Sequence, residues 1–222
     1  MSAGVLIPLY TYPTDASWEA VRQARRAYPS VKILAIINPY NGVGRDQIPD
    51  YVQGIPVLQQ AGVTVLGYVY TSYGRRDVEQ VKEEIALFCS WYHVDGIFFD
   101  QNASQPGLEG YYSDLSLYAQ SKGMSLTVGN PGTRAPSYVG TADLLVAYED
   151  SGLPEPGRLS DLPGGRENYA LIAHDVPALD ETWLREVESY VGYLYVTDGV
   201  MPNPYRALPS YFGSLVEKLS KA

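Results

Sequence analysis

Val5-Leu6-Ile7-Pro8-Leu9-Tyr10 runs straight into Thr11-Tyr12-Pro13, and this junction decides between two common ways of building a parallel α/β protein. The apolar run predicts a buried strand over residues 5–10. In an open, doubly wound nucleotide-binding sheet the turn after the first strand is glycine-rich, because the backbone there must approach a pyrophosphate closely. Pro8-Leu9-Tyr10-Thr11-Tyr12-Pro13 takes that place here and holds no glycine. The missing fingerprint leaves a closed (β/α)8 TIM barrel as the architecture that the rest of the chain has to support.

The rest supports it. Seven more strands are predicted over residues 32–38, 64–70, 96–100, 125–130, 144–149, 169–175 and 193–198, and most are followed by a helix or a helix-sized segment. Asp15 and Asp180 stand where N-caps stand, each just before a helical pattern. Residues 75–92 place Val78, Val81, Ile85 and Phe88 on one helical face, and residues 205–221 do the same with Leu208, Phe212, Leu215 and Leu219. Asn41-Gly42-Val43-Gly44 is too short for a Walker loop and lacks its lysine, so it reads as a turn. Residues 153–168, with Pro154, Pro156, Pro163 and Gly164-Gly165, predict a long loop with little helix. Eight strands in 222 residues match the small end of the barrel family, whose minimum is about 200. There is no repeat or linker, so one barrel domain is expected over residues 1–222.

Composition narrows the ligand. The formal charge is −9, which disfavours phosphate backbones and makes nucleic acid an unexpected partner. No apolar run approaches the roughly 20 residues of a bilayer span, so no transmembrane segment is expected and the chain reads as soluble. No signal peptide is recognisable at residues 1–12, so the chain is either cytoplasmic or secreted with a presequence that is not part of it. The single cysteine, Cys89, rules out an internal disulfide framework and reads as a small core residue. Charged residues are 18% of the chain against about 25% in typical domains, and 20 tyrosines stand against 4 phenylalanines. Tyrosine offers a face for a sugar ring and a hydroxyl for its rim, or it replaces phenylalanine in the core.

A barrel of this kind builds its site at the C-terminal ends of its strands. Those ends are Tyr10, Asn38-Pro39-Tyr40, Tyr70-Thr71-Ser72-Tyr73, Asp100-Gln101, Asn130, Tyr148-Glu149-Asp150, His174-Asp175 and Thr197-Asp198. Carboxylates, amides and phenols dominate, which suits a sugar. Gly96-Ile97-Phe98-Phe99-Asp100 delivers an acid from an apolar strand, and residues 144–149 deliver Glu149 in the same way. Two rim carboxylates are the requirement of glycoside hydrolysis. The plainer alternatives are a helix cap or ion pair for Asp100 and a surface ion pair for Glu149. Asp150 turns away if Glu149 faces inward. His93 and His174 are too few and too scattered to make a metal cluster, so no metal is expected, and no Gly-x-Ser-x-Gly elbow supports a serine triad. His174 reads as a hydrogen-bonded rim or core residue able to orient substrate. Arg75 and Arg76 open a solvated helix, or one of them turns inward to hold a carboxylate or a sugar oxygen.

Taken in order, several motifs identify a resemblance. They are Ile7-Pro8-Leu9-Tyr10 with Tyr12-Pro13 and Trp18, Asn38-Pro39 with Gly42-x-Gly44, and Gly67-Tyr68-Val69-x-Thr71-x-Tyr73-Gly74-x-Arg76. Val94-Asp95-Gly96-Ile97-Phe98-Phe99-Asp100, Asn130-Pro131-Gly132 and Glu149 complete the set. The sequence resembles the spherulation-specific family 4 (spherulin-4-like) proteins, grouped with glycoside hydrolase family 135. The resemblance implies a (β/α)8 enzyme that cuts α-1,4-linked N-acetylgalactosamine within galactosaminogalactan, a fungal polysaccharide. It also implies three essential acids, an Asp-Glu pair after the fourth strand and a Glu after the sixth.

Asp100 and Glu149 match two of these acids, and Gln101 stands where the third belongs. Glutamine can neither ionise nor protonate a leaving group. Either Asp100 and Glu149 suffice, or the protein is a non-catalytic glycan binder, or the glutamine is a deliberate substitution. The expected assignment is an endo-acting glycoside hydrolase with Asp100 as nucleophile or electrostatic stabiliser, Glu149 as general acid/base, and Gln101 hydrogen-bonding substrate beside Asp100. Tyr10, Asn38, Tyr70, Tyr73, Arg76, Asn130, Tyr148 and Asp198 are the candidates for binding sugar, and no cofactor is required.

Overall fold

The computed structural model describes residues 2–221; Met1 and Ala222, the outermost residues of the expected domain, lie outside the described residues. Eight strands close into a barrel in chain order: β1 (Gly4–Leu9), β2 (Ile33–Ile37), β3 (Thr64–Tyr70), β4 (Gly96–Asp100), β5 (Leu126–Gly129), β6 (Leu144–Ser151), β7 (Tyr169–His174) and β8 (Tyr193–Val196). Each strand runs parallel to its neighbours, and β8 pairs back onto β1. This is the (β/α)8 TIM barrel.

Among the described residues six α-helices cover the outside: α1 (Ala16–Ala27), α2 (Pro49–Gln60), α3 (Val78–Tyr92), α4 (Glu109–Ser121), α5 (Glu181–Val187) and α6 (Phe212–Ser220). The caps are where the sequence places them. Asp15 accepts the Ser17 amide, and Asp180 accepts those of Thr182 and Trp183. Asp77 caps α3 through the amides of Glu79 and Gln80, so this helix begins after Arg75 and Arg76. The β5–β6 and β6–β7 connections hold only short 3-10 turns, at Pro136–Tyr138, Pro156–Leu159 and Arg166–Asn168, in accord with the proline-rich sequence of the second. No helix among the described residues is long and apolar enough to cross a membrane.

The last helix starts at Phe212, not at residue 205. Pro209 cannot donate to a preceding carbonyl and turns Leu208 away from helical geometry, so residues 205–211 form a loop over the top of the barrel.

Strand register fixes which side chains enter the barrel. Leu6 pairs with Leu34, Leu34 with Thr64, Tyr68 with Phe98 and Phe98 with Val128, so every second residue of these strands shares one interior face. Continued to the C-terminal ends, those rows arrive at Tyr10, Asn38, Tyr70, Asp100 and Asn130. Strand β6 departs from strict alternation. Val146 pairs with Ala170 and Tyr148 with Leu171, which leaves Ala147 without a partner as a β-bulge. Beyond it Glu149 pairs with Ile172 and Ser151 with His174. Leu144 and Val146 below the bulge and Glu149 above it therefore all face inward. On β7, Ala170, Ile172 and His174 form the matching inner row.

Candidate active site

Asp100 and Glu149 meet through one amide. The Asn130 side-chain nitrogen donates to Asp100 Oδ1 at 2.8 Å and to Glu149 Oε2 at 2.5 Å, so those two oxygens lie at most 5.3 Å apart. The Asn130 oxygen accepts the Gly132 amide at 3.0 Å, which fixes the amide's orientation from the far side. The remaining oxygens are held by phenols. Tyr68 donates to Asp100 Oδ2 at 2.6 Å, and Tyr205 donates to Glu149 Oε1 at 2.5 Å. Asp100 neither caps a helix nor pairs with a cation, and Glu149 makes no ion pair among the described residues, so the plainer readings of both acids fall away.

Tyr10 packs edge-on against Tyr68 and Tyr205, with ring centroids 5.8 Å and 5.6 Å away. Burial pushes all three phenols up, with Asp100 and Glu149 adding to the effect, so the three stay protonated at neutral pH. Burial also pushes the Glu149 carboxyl above the usual carboxylate range, and the charge of Asp100 adds to this. The hydrogen bonds from Tyr205 and Asn130 and the proximity of His174 pull the other way. The net effect favours a carboxyl that keeps its proton longer than an exposed glutamate.

Gln101 follows Asp100 in a left-handed backbone conformation, with φ of 51°. Its carbonyl is clamped by the Tyr73 amide at 2.7 Å and the Thr71 hydroxyl at 2.8 Å, and Thr71 is in turn braced by the Tyr112 hydroxyl of α4 at 2.9 Å. Ser72, Tyr73 and Gly74 all have positive φ, and Tyr73 is 53% exposed. The β3 and β4 exits thus lock together, with the backbone of Gln101 fixed in the lock.

The other predicted residues divide. Tyr70 lies under the Arg76 guanidinium, 4.3 Å from its ring centroid. Arg76 is the arginine that turns inward, but the carboxylate it holds is the protein's own: it pairs with Glu84 at 2.8 Å and donates to the Tyr70 carbonyl at 2.7 Å. Glu84 also accepts the Val43 amide at 3.0 Å. Gly42 has a φ of 135°, which L side chains rarely adopt, and a Cβ there would fall 2.0 Å from Glu84 Oε1 and push that carboxylate from its place, so the turn favours glycine. Asn38 closes the same turn by accepting the Gly42 amide at 2.8 Å. Arg76 and Asn38 therefore build the rim rather than stand free on it. Tyr148 bonds the carbonyls of Ser151 and Gly152 and faces a cavity of about 710 Å³ on the far side of β6 from the carboxylate pair. Asp150 is exposed, as alternation around Glu149 requires. Asp198 holds Ser210 through its amide and hydroxyl, anchoring the loop that carries Tyr205.

Two residues that grip the acids were not among the sequence candidates. Tyr68 sits in the middle of β3, two residues below the strand end at which the search for a site begins; its place on the inner face with Tyr70 was the available signal. Tyr205 falls in the segment whose apolar period predicts a helix. The flanking Pro202 and Pro204 were the signal against that assignment.

The model of spherulation-specific family 4 matches residues 4–219. The chain belongs to this family. Spherulin-4 of Physarum polycephalum is 32% identical over 226 residues, spanning 93% of this chain and 67% of that protein. A crystal structure of Aspergillus clavatus Sph3 in complex with GalNAc superimposes with a TM-score of 0.90 at 24% identity, over 99% of this chain and 98% of that one. The Bacillus cereus spore cortex-lytic enzyme SleL also superimposes, with a TM-score of 0.58 at 11% identity, over 99% of this chain and 75% of that one. For the spherulin-4-like chain these structural likenesses establish a shared barrel.

Proposed function

We propose that this spherulin-4-like protein is an endo-acting glycoside hydrolase that cleaves α-1,4-linked N-acetylgalactosamine or galactosamine units in a galactosaminogalactan-like polysaccharide. The reading is supported by family membership, by the GalNAc bound to Sph3, and above all by one observation. A single amide nitrogen holds Asp100 and Glu149 together, with their nearer oxygens no more than 5.3 Å apart. Separations of about 5–5.5 Å belong to retaining enzymes and about 6.5–9.5 Å to inverting ones. The narrower spacing leaves no room for a water between acid and sugar.

Asp100 then attacks the anomeric carbon as the glycosidic C–O bond breaks, and Glu149 passes its proton to the leaving oxygen. In the second half Glu149 takes a proton from water, and the water oxygen displaces Asp100 from carbon. Burial of Glu149 suits the first step, because it holds the proton that the leaving group needs. The tyrosines around the pair supply sugar-stacking faces, and Tyr40 and Tyr73, 77% and 53% exposed, extend that surface along the rim.

Gln101 favours a second reading, a glycan-binding protein without turnover, because its amide cannot ionise. The test is incubation with acetylated and deacetylated galactosaminogalactan, with reducing ends assayed and the first-formed anomer followed by NMR. Reducing ends from the unaltered protein, lost in Asp100→Asn, support the hydrolase with retention of the α-anomer. Binding without release, before and after Gln101→Glu, overturns it in favour of the binding protein. Release only after Gln101→Glu identifies Gln101 as the lesion.

A further inference from the structure

Strand β6 lacks the helix that covers most of its neighbours. Among the described residues the connections after β5 and β6 hold only 3-10 turns, whereas each of the other six strands is followed by an α-helix. The space left behind β6 is the cavity of about 710 Å³. The bulge at Ala147 that sends Glu149 inward sends Tyr148 and Asp150 outward to line this cavity, and the turn at Pro156–Leu159 adds Arg158 to the lining.

The cavity begins beside the carboxylate pair. Gly132 lines it, and a Cβ on Gly132 would lie 3.7 Å from Glu149 Cβ, so this residue presents no side chain to a ligand that reaches from the pair into the cavity. The Tyr148 hydroxyl is held by the carbonyls of Ser151 and Gly152 at 3.1 Å and 2.9 Å, which fixes the ring in the wall. Burial pushes this phenol up, Asp150 adds to the effect and Arg158 opposes it, so both charges lie near the ring. The Arg158 side chain makes no ion pair or hydrogen bond among the described residues, while the guanidinium of Arg134 is occupied by the carbonyls of Arg158 and Asp161. Asp150 and Glu155 offset Arg134 and Arg158, so the lining is neutral overall and offers acceptors and a free donor around an aromatic face. That set suits a neutral polyhydroxylated ring. A phosphate would meet two carboxylates, and an ammonium two guanidiniums.

We infer that the cavity behind β6 is a second sugar subsite, which takes uncharged units of the same polysaccharide chain that is bound at Asp100 and Glu149. The ring of Tyr148 packs on a sugar face, the Arg158 guanidinium donates to sugar oxygens, and Asp150 and Glu155 accept from sugar hydroxyls. The inference rests on the polysaccharide reading above and says how the protein holds a chain rather than a single sugar. A monosaccharide seated at the pair does not reach the cavity and gains nothing from it.

Binding of a chain and of a single sugar, measured separately, tests the inference. Affinity electrophoresis through galactosaminogalactan gives the first, and ligand-observed NMR titration of N-acetylgalactosamine gives the second. The parent is Asp100→Asn, so that the polysaccharide stays whole, and Tyr148→Ala and Arg158→Ala are each added to it. Tyr148→Ala should lower the ratio of polysaccharide to monosaccharide affinity about tenfold, through loss of the aromatic face. Arg158→Ala should lower it about threefold, as one solvent-exposed charged contact. A fall in either variant supports the subsite. An unchanged ratio in both overturns the inference and leaves the hydrolase reading standing. A parent that binds no polysaccharide although the unaltered protein does also overturns it, because recognition is then confined to the pair. Polysaccharide binding absent from both proteins overturns the inference and the hydrolase reading together. Circular dichroism identifies a variant that has not folded. Arg158 is exposed and its side chain unpartnered, so if Tyr148→Ala fails to fold, Arg158→Ala decides the matter by whether the ratio falls.

Discussion

Strands β4 and β6 each carry one acid of the pair, and they present it by different backbone means. Strand β4 is regular: Phe98 packs inward against Tyr68, Phe99 points out, and Asp100 points in. Strand β6 begins in the same phase, with Leu144 opposite Val128, and strict alternation from there would aim Tyr148 and Asp150 into the barrel. The bulge at Ala147 inserts one residue and exchanges the two faces, so Glu149 enters and its neighbours turn out. A bulge beside a site is a way to re-aim a side chain without moving the strand. In this barrel it decides which of two adjacent acids, Glu149 or Asp150, faces Asp100.

Moving the acid by one position is the severest way to break this contrast. Glu149→Gln is expected to lower turnover by about 10²–10⁴-fold, the usual contribution of a general acid/base. Adding Tyr148→Glu to it should restore nothing, because position 148 faces the cavity behind β6; steady-state release of reducing ends from the double variant checks this. Recovery of activity would mean that the strand runs without its bulge.

A smaller effect sharpens the electrostatics of the β6 acid. The Tyr205 hydroxyl favours ionised Glu149, so Tyr205→Phe removes a force that lowers its pKa, and the pKa rises further. In the proposed mechanism Glu149 acts first as an acid, so the alkaline limb of the kcat/KM profile is expected to move to higher pH. The expected shift is about one unit, from the loss of one hydrogen bond to a charged group. An unmoved alkaline limb would assign the acid to another residue.

The smallest effect is on stability. A carboxyl whose folded pKa is raised contributes stability that is complete below its unfolded pKa and is lost as pH rises through the folded one. At pH 7 the half-buried Glu149 is therefore a liability, and Glu149→Gln should raise Tm by about 2–4 °C if the relief is about 1 kcal/mol. Thermal melts should show the gain fading as pH falls toward the range in which the unaltered glutamate is protonated. A gain that grows on acidification would contradict the assigned direction.

Much of the site was legible in the sequence because a parallel barrel gathers its strand ends by construction. Asp100, Asn130 and Glu149 lie far apart along the chain, yet each ends an apolar run, and the architecture alone places those ends on one face. Tyr68 and Tyr205 were harder to read. One is buried within a strand and resembles an ordinary core tyrosine. The other lies in a loop whose Leu208 extends the apolar period of Phe212, Leu215 and Leu219 and so mimics a helix until the prolines are weighed.

Arg76 shows the converse: a motif residue with an apparent ligand-binding role whose charge is taken by Glu84. Residue type and spacing reveal what a side chain is able to hold. They do not reveal whether another part of the chain reaches it first.

The sequence by itself determined the barrel, the acids and the family, because alternating apolar runs, missing glycines and ordered motifs are local properties. The tertiary structure alone decided how the acids are held: the phase of β6 beyond Ala147, the amide that joins Asp100 to Glu149, and the loop that brings Tyr205 onto the pair. Each depends on which residue of one strand lies opposite which residue of another. That register is set by packing around the closed sheet, where one inserted residue reverses every side chain beyond it.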